Sequence, residues 1–191
     1  MLKVKINADK MDTRKRRERA VSLQREMEKV LNSDVFKAQV LKMPHMAGEL
    51  SHLKELTRLE IYEYLMAGKE WYNEEEFGTL EAWLNDYYTW KSVYGYMTRG
   101  SKYINVNTKY FDTMSNKKAG SLIVHEWSHH LGASHHFRRT NVRHLSLSYL
   151  LNVAYENAHD IVFGNITAPT KKRYCRRPWR FLGLKQVCWY E

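Results

Sequence analysis

The segment from 125 to 135, His-Glu-Trp-Ser-His-His-Leu-Gly-Ala-Ser-His, constrains this chain more than any other. His125 and His129 are four residues apart, so on a helix both imidazoles leave one face about a turn apart, where they can clamp one small cation. Gly132 follows three residues later. It lets a helix stop and the chain turn sharply, because positive φ carries no Cβ penalty there. The turn swings His135 back toward the other two. The fold must therefore provide a helix that ends near Leu131, a reversal after it, and a core that holds both.

Chance does not account for the pattern. With 9 His and 9 Gly in 191 residues, His-Glu-x-x-His arises somewhere in about 3% of such chains, whereas the full eleven-residue pattern falls to the order of 10⁻⁴. Three neutral imidazoles at about 2.0–2.1 Å leave one tetrahedral position of Zn²⁺ open for water, which is how a catalytic site differs from a structural one. Glu126, next to the first ligand, is then the general base for that water. The expectation is one Zn²⁺ per chain held by His125, His129 and His135.

His-Glu-Trp-Ser-His-His-Leu-Gly-Ala-Ser-His resembles the metzincin clan of zinc peptidases. The resemblance implies three histidine ligands and Glu126 as general acid and base. It also implies an α+β zincin-like fold, with a small twisted sheet over the active-site helix, an edge strand that binds substrate, and a further C-terminal helix. The strand-like stretch from Lys102 to Asn107 stands where that edge strand would be. The chain departs from the clan in having no methionine after Met114, so Leu147, Leu150 or Leu151 would floor the site in its place. The activity implied is that of a zinc metalloendopeptidase, a hydrolase acting on a protein or peptide substrate.

Alternatives stand beside this reading. Glu156, with Asp160 four residues on, fits the third-ligand pattern of gluzincin peptidases, although such a pair arises about 0.5 times by chance in a chain of this composition. If His135 is the ligand, Glu156 or Asp160 would orient a ligand imidazole instead. His130 and His136 sit beside ligands at the wrong spacing and read as solvent-facing or hydrogen-bonded neighbours; His45, His52, His144 and His159 carry no ligand pattern. Hydrolysis also needs a donor to the developing oxyanion. Tyr149 and Tyr155 are candidates on the next helix. Tyr149 is favoured because it lies nearer the helix start, while a buried core role is the ordinary one for either ring.

Around this centre, 43% hydrophobic and 13% aromatic residues exclude a disordered chain. The chain is expected to form one domain over 1–191: N-terminal helices and sheet (1–110), the active-site helix and its successor (111–165), and a basic aromatic tail (166–191). Alternation over Leu2–Ile6 predicts a strand, and Ala20, Leu23, Met27 and Val30 predict a helix over Thr13–Leu31, with Asn32 and Ser33 as caps. A second helix runs from Val35 to Met43 and stops at Pro44. Thr57 and Glu60 form a capping box, and Gly68 a left-handed terminator. The acidic run Glu74–Glu76 and the amphipathic stretch Leu80–Tyr88 read as surface. Ser92–Met97 and Lys102–Asn107 read as a hairpin joined by Thr98-Arg99-Gly100. Helices are expected over Lys117–Leu131 and Leu145–Phe163.

A formal net charge of +10 favours anionic partners. The clusters offering contact are Arg14-Lys15-Arg16-Arg17 and Lys171-Lys172-Arg173 with Arg176, Arg177 and Arg180; Tyr174, Trp179 and Trp189 add stacking surface to the second. A zinc-containing binding protein for an anionic polymer, or a peptidoglycan amide hydrolase, is therefore an alternative function. No run reaches the roughly 18 apolar residues of a membrane span, and Met1–Lys5 lacks a signal-peptide core, so a soluble chain is expected, secreted or cytoplasmic. Cys175 and Cys188 would staple the tail in an exported protein and stay free thiols in a reducing compartment. The oligomeric state is not encoded in any pattern found.

Overall fold

A computed structural model of the chain describes residues 1–68, 78–98, 100–136 and 140–164, together with the backbone of two short strands at 174–176 and 187–189. Strand β1 (Lys3–Lys10) is followed by helices α1 (Arg14–Leu31), α2 (Asp34–Leu41) and α3 (Arg58–Ala67), with a 3-10 turn at His52–Glu55. Then come β2 (Thr79–Tyr87), β3 (Gly95–Met97) and β4 (Tyr103–Asn107). The short helix α4 (Thr108–Phe111), α5 (Asn116–His130) and α6 (Leu147–Val162) complete the described α+β core. Strands β5 (Tyr174–Arg176) and β6 (Val187–Trp189) pair antiparallel with Cys175 opposite Cys188.

The first four strands form an open sheet in the order β1-β2-β4-β3. β1, β2 and β4 run parallel, and only β3 is antiparallel to its neighbour. The parallel pairs need long crossovers, and the helices supply the first of them. Two expectations are corrected here. The stretch 80–88 is no surface segment: it forms β2, an interior strand whose Leu80, Ala82 and Leu84 are fully buried. Its polar Glu81, Asn85 and Asp86 disguised a period-2 pattern as a period-3.6 one. Likewise β4 is not the edge strand. β3 folds back along it and takes that place.

The buried side of the sheet, lined by Val4, Leu80, Ala82, Leu84, Ile104 and Val106, meets α1 along β1 and α5 along β2 and β4. α1 contributes Ala20, Leu23, Met27, Val30 and Leu31, spaced to bury one stripe. Full burial of each large side chain stabilises by about 1.5–3 kcal/mol. The caps expected at Asn32, Ser33, Thr57 and Gly68 are in place, and Thr13 adds one. Thr13 and Ser33 start α1 and α2, Thr57 and Glu60 exchange both capping-box bonds, and Gly68 ends α3 at φ 59°. α6 runs back along α5, so its first turn faces the end of α5 and its last turns face the start.

Within the Arg14–Arg17 cluster, Arg16 is bound internally while Arg14, Lys15 and Arg17 are exposed. Arg16 forks onto Asp112 at 2.8 and 2.6 Å and reaches Asp86 at 2.7 Å, Arg14 pairs with Glu18, and Arg17 donates to the Met11 carbonyl. The Arg16 bonds tie the start of α1 to the end of β2 and the turn after α4, so that residue is a brace. The tail cluster apart from the backbone of Arg176 in β5, the Glu74–Glu76 run and Arg99 of the hairpin connection lie outside the described residues. Among the described residues, no helix is long and apolar enough to cross a membrane.

Candidate metal centre

Helix α5 begins at Ser115, whose Oγ accepts from the Lys118 N–H, and buries Ala119, Ile123, Val124 and Trp127 against the sheet and α6. That register carries His125 and His129 out along one face, their ring centroids 5.3 Å apart. The helix stops at His130. Gly132 stands at φ 95° with open space where a Cβ would be, so glycine is required for its backbone conformation and not for room. The Ala133 N–H bonds back to the Ser128 carbonyl at 3.0 Å, and Tyr64 Oη of α3 donates to the Leu131 carbonyl at 3.0 Å.

Past the turn, the chain lies antiparallel beside Glu49 and Leu50. The Leu50 N–H donates to the Ser134 carbonyl at 2.8 Å, and Glu49 and His135 form a single β-bridge. His135 is thereby brought to 5.5 Å from His125 and 4.9 Å from His129, ring to ring. One ring nitrogen from each of the three histidines falls within 4.8 Å of the others, a group that could hold a metal ion.

Tautomer and spacing fit that use. His129 Nδ1 lies 2.8 Å from the Ala133 carbonyl, and His135 Nδ1 lies 3.2 Å from the His136 carbonyl. A carbonyl only accepts, so both protons sit on Nδ1 and both Nε2 lone pairs are free to ligate. His125 Nε2 is 3.4 Å from His135 Nε2. Two nitrogens bound tetrahedrally at about 2.0–2.1 Å to one ion would be about 3.3 Å apart. Burial, and next the neighbouring imidazoles, push His125 well below the usual histidine range; His129 and His135 are also lowered, chiefly by burial. Neutral imidazole is the ligating form.

Glu126 is buried, and burial raises its pKa to about 7 against the lowering effect of a backbone hydrogen bond from Met97. The first catalytic candidate thus touches the edge strand β3 directly. The second, Tyr149, packs its ring 4.7 Å from His125 and 5.2 Å from His135, with the Arg143 guanidinium 5.2 Å from its own ring. Both sequence candidates therefore stand at or beside the three histidines.

Tyr155 does not. It is a fully buried core residue whose hydroxyl closes on Gly120 of α5. Glu156 is also elsewhere, 2.5 Å from Lys118 Nζ, and Asp160 is 2.8 Å from Lys117 Nζ. Lys118 precedes His125 by seven residues, about 10 Å along the helix. Neither acid can be the third ligand or orient a ligand imidazole. His130 is buried and hydrogen-bonded to the Ser101 backbone, with burial lowering its pKa to about 4; His136 is exposed.

Compared with protein-family models, with curated proteins and with solved structures, the chain matches none. The site is therefore read from its own geometry.

Three supports escaped the sequence reading. Ser128 Oγ lies 2.6 Å from the His125 carbonyl and 2.6 Å from Ser148 Oγ, locking the motif helix to the first turn of α6. Met97 offers only a backbone group to Glu126, which no side-chain pattern reveals. Glu49 enters from a segment without periodicity, between Pro44 and the 3-10 turn, so nothing local marked it.

Proposed function

We propose that this chain is a zinc-dependent metallopeptidase in a zincin-like fold, resembling the metzincins. The observation that carries the reading is the convergence of three imidazoles on one point, two of them, His129 and His135, with Nδ1 on a backbone carbonyl and Nε2 left to ligate, and with a buried carboxylate next in sequence to His125. Bound by three imidazoles, Zn²⁺ supplies Lewis acidity toward a carbonyl and lowers the pKa of water. The choice of zinc rests on the donor set, since three imidazoles with an open position suit it.

The chain's own residues then have distinct roles. Glu126 takes the proton from the attacking water and passes it to the leaving amine; the Met97 N–H holds its carboxylate in place between these transfers. Tyr149, on the ring stack with His125 and His135, is the donor to the developing oxyanion. β3 is the edge strand beside the site, and its outward backbone groups other than the Met97 N–H are where an extended peptide would add.

A second reading, binding of an anionic polymer, is favoured by one surface. Trp90 is 78% exposed, Tyr88, Tyr94 and Tyr96 are also exposed, and Lys109 Nζ sits 5.6 Å from the Trp90 ring and 5.0 Å from that of Tyr110. Rings with lysines between them suit stacking and phosphate or carboxylate contact alike, and an anionic glycan carrying peptide would bring amide hydrolysis and this surface together.

Metal analysis of the purified chain, paired with turnover of a mixed peptide library, separates these. The peptidase reading expects about one zinc per chain, peptide cleavage by the wild type, and no cleavage by Glu126→Ala with zinc retained. Full cleavage by Glu126→Ala, or by metal-free protein, would overturn it. Salt-sensitive polymer binding without cleavage by any form would leave the binding reading in its place.

A further inference from the structure

We infer that Glu49 is the positioning residue of the metal centre, fixing the third ligand His135 and the first turn of α6 with a single buried carboxylate. The inference rests on the reading of the three histidines as a metal site.

Glu49 is 3% exposed and accepts four hydrogen bonds. Oε1 takes the Ser134 N–H at 2.6 Å, the Ser51 Oγ–H at 2.8 Å and the Ser51 N–H at 3.2 Å; Oε2 takes the Leu147 N–H at 3.0 Å. Three of these donors meet on Oε1 and one on Oε2, and the group of ring nitrogens that could hold a metal ion is His125, His129 and His135 without Glu49, so the carboxylate acts on the backbone around the site. What it holds matters more. Ser134 immediately precedes His135, and the Glu49–His135 bridge continues the same contact along the backbone. Leu147 is the first residue of α6, two before Tyr149.

α6 needs this carboxylate. Its N-cap, Ser146, makes no side-chain cap, and Ser146 Oγ is buried without a partner. Glu49 stands in for the cap from 98 residues away, where negative charge also suits the positive end of the helix. One side chain thus joins the loop carrying His135 to the helix carrying Tyr149 and Ser148. Outer groups of this kind hold ligands at the geometry a metal needs, and losing one typically lowers metal affinity about 10–100-fold. An amide cannot substitute. The glutamine –NH₂ would face a backbone N–H at either Ser134 or Leu147.

The test is zinc affinity of the full chain, read by competition with a chromophoric chelator at a temperature where every variant is folded by circular dichroism. Wild type, Glu49→Gln, Glu49→Asp and His135→Ala are compared with Leu23→Ala, which destabilises the α1 core far from the site. Glu49→Gln should bind zinc roughly 10–100-fold more weakly. Glu49→Asp, too short to span Ser134 and Leu147, should fall in the same direction and serves if the glutamine variant does not fold. Leu23→Ala should bind as wild type does while melting lower. In the His135→Ala background, Glu49→Gln should cost little further affinity, since its action runs through that ligand. Wild-type affinity in both Glu49 variants, an equal loss in Leu23→Ala, or full additivity with His135→Ala would each overturn the inference. If the wild type itself takes up no zinc, the metal reading fails first, and that result is distinct from the others.

Discussion

The two ends of the α5–α6 pair solve opposite problems. At the start of α5, Lys117 and Lys118 meet Asp160 and Glu156, and Asn116 and His159 both reach Glu26, at 2.7 and 3.2 Å. Positive and negative groups alternate, and each is matched. At the other end, three groups of one kind are pressed together, and the two buried carboxylates nearby are turned to other work, Glu126 on Met97 and Glu49 on Ser134 and Leu147. Matched charge is what a helix interface needs to stay closed. Neutral imidazoles whose ring nitrogens face one another leave lone pairs without a donor, which adds nothing to folding alone and makes sense where a cation completes them.

Substitutions at the two ends should break or sharpen this contrast. The largest effect is expected at Glu126: Glu126→Gln should lower turnover by about 10²–10⁴ with zinc content unchanged, checked by peptide hydrolysis beside metal analysis. Tyr149→Phe, which keeps the ring against the histidines, should lower kcat by about 10²–10³ and leave KM and zinc affinity near wild type. Midway between the ends, a Cβ at Gly120 would stand 2.4 Å from Tyr155 Oη. Gly120→Ala should thus destabilise the protein by about 1–3 kcal/mol in denaturant unfolding, whichever end carries function. The smallest effect belongs to the matched end. Lys118 is 58% exposed, so Lys118→Ala should cost under about 1 kcal/mol, and Glu156→Ala should leave zinc affinity unchanged. A loss of zinc in Glu156→Ala would dissolve the contrast.

What was legible in the sequence were features written locally. Gly132 and the four-residue spacing of His125 and His129 are contained in one stretch of chain, and the capping box at Thr57 and Glu60 needs only four residues. The features that were not legible depend on neighbours distant in sequence. Which strand forms the edge is decided by β3 folding onto β4, and the burial of β2 by flanking strands, neither of which a residue pattern specifies. Arg16 reads as a surface cation until Asp86 and Asp112 are known to surround it. Glu49 is the extreme case, an acid with no motif whose partners are a serine and the ends of two remote backbone segments.

That remoteness bears on when the site comes into being. Ser134 and Glu49 are separated by 85 residues, and closing a loop of that length is an entropic cost met only once the segments between have packed. A fragment spanning only α5 and α6 would hold two converging imidazoles and a third without its anchor. On the proposed reading, the complete set of three ligands would be assembled late in folding, after the N-terminal half has docked, so a nascent or partly unfolded copy would lack the anchored His135.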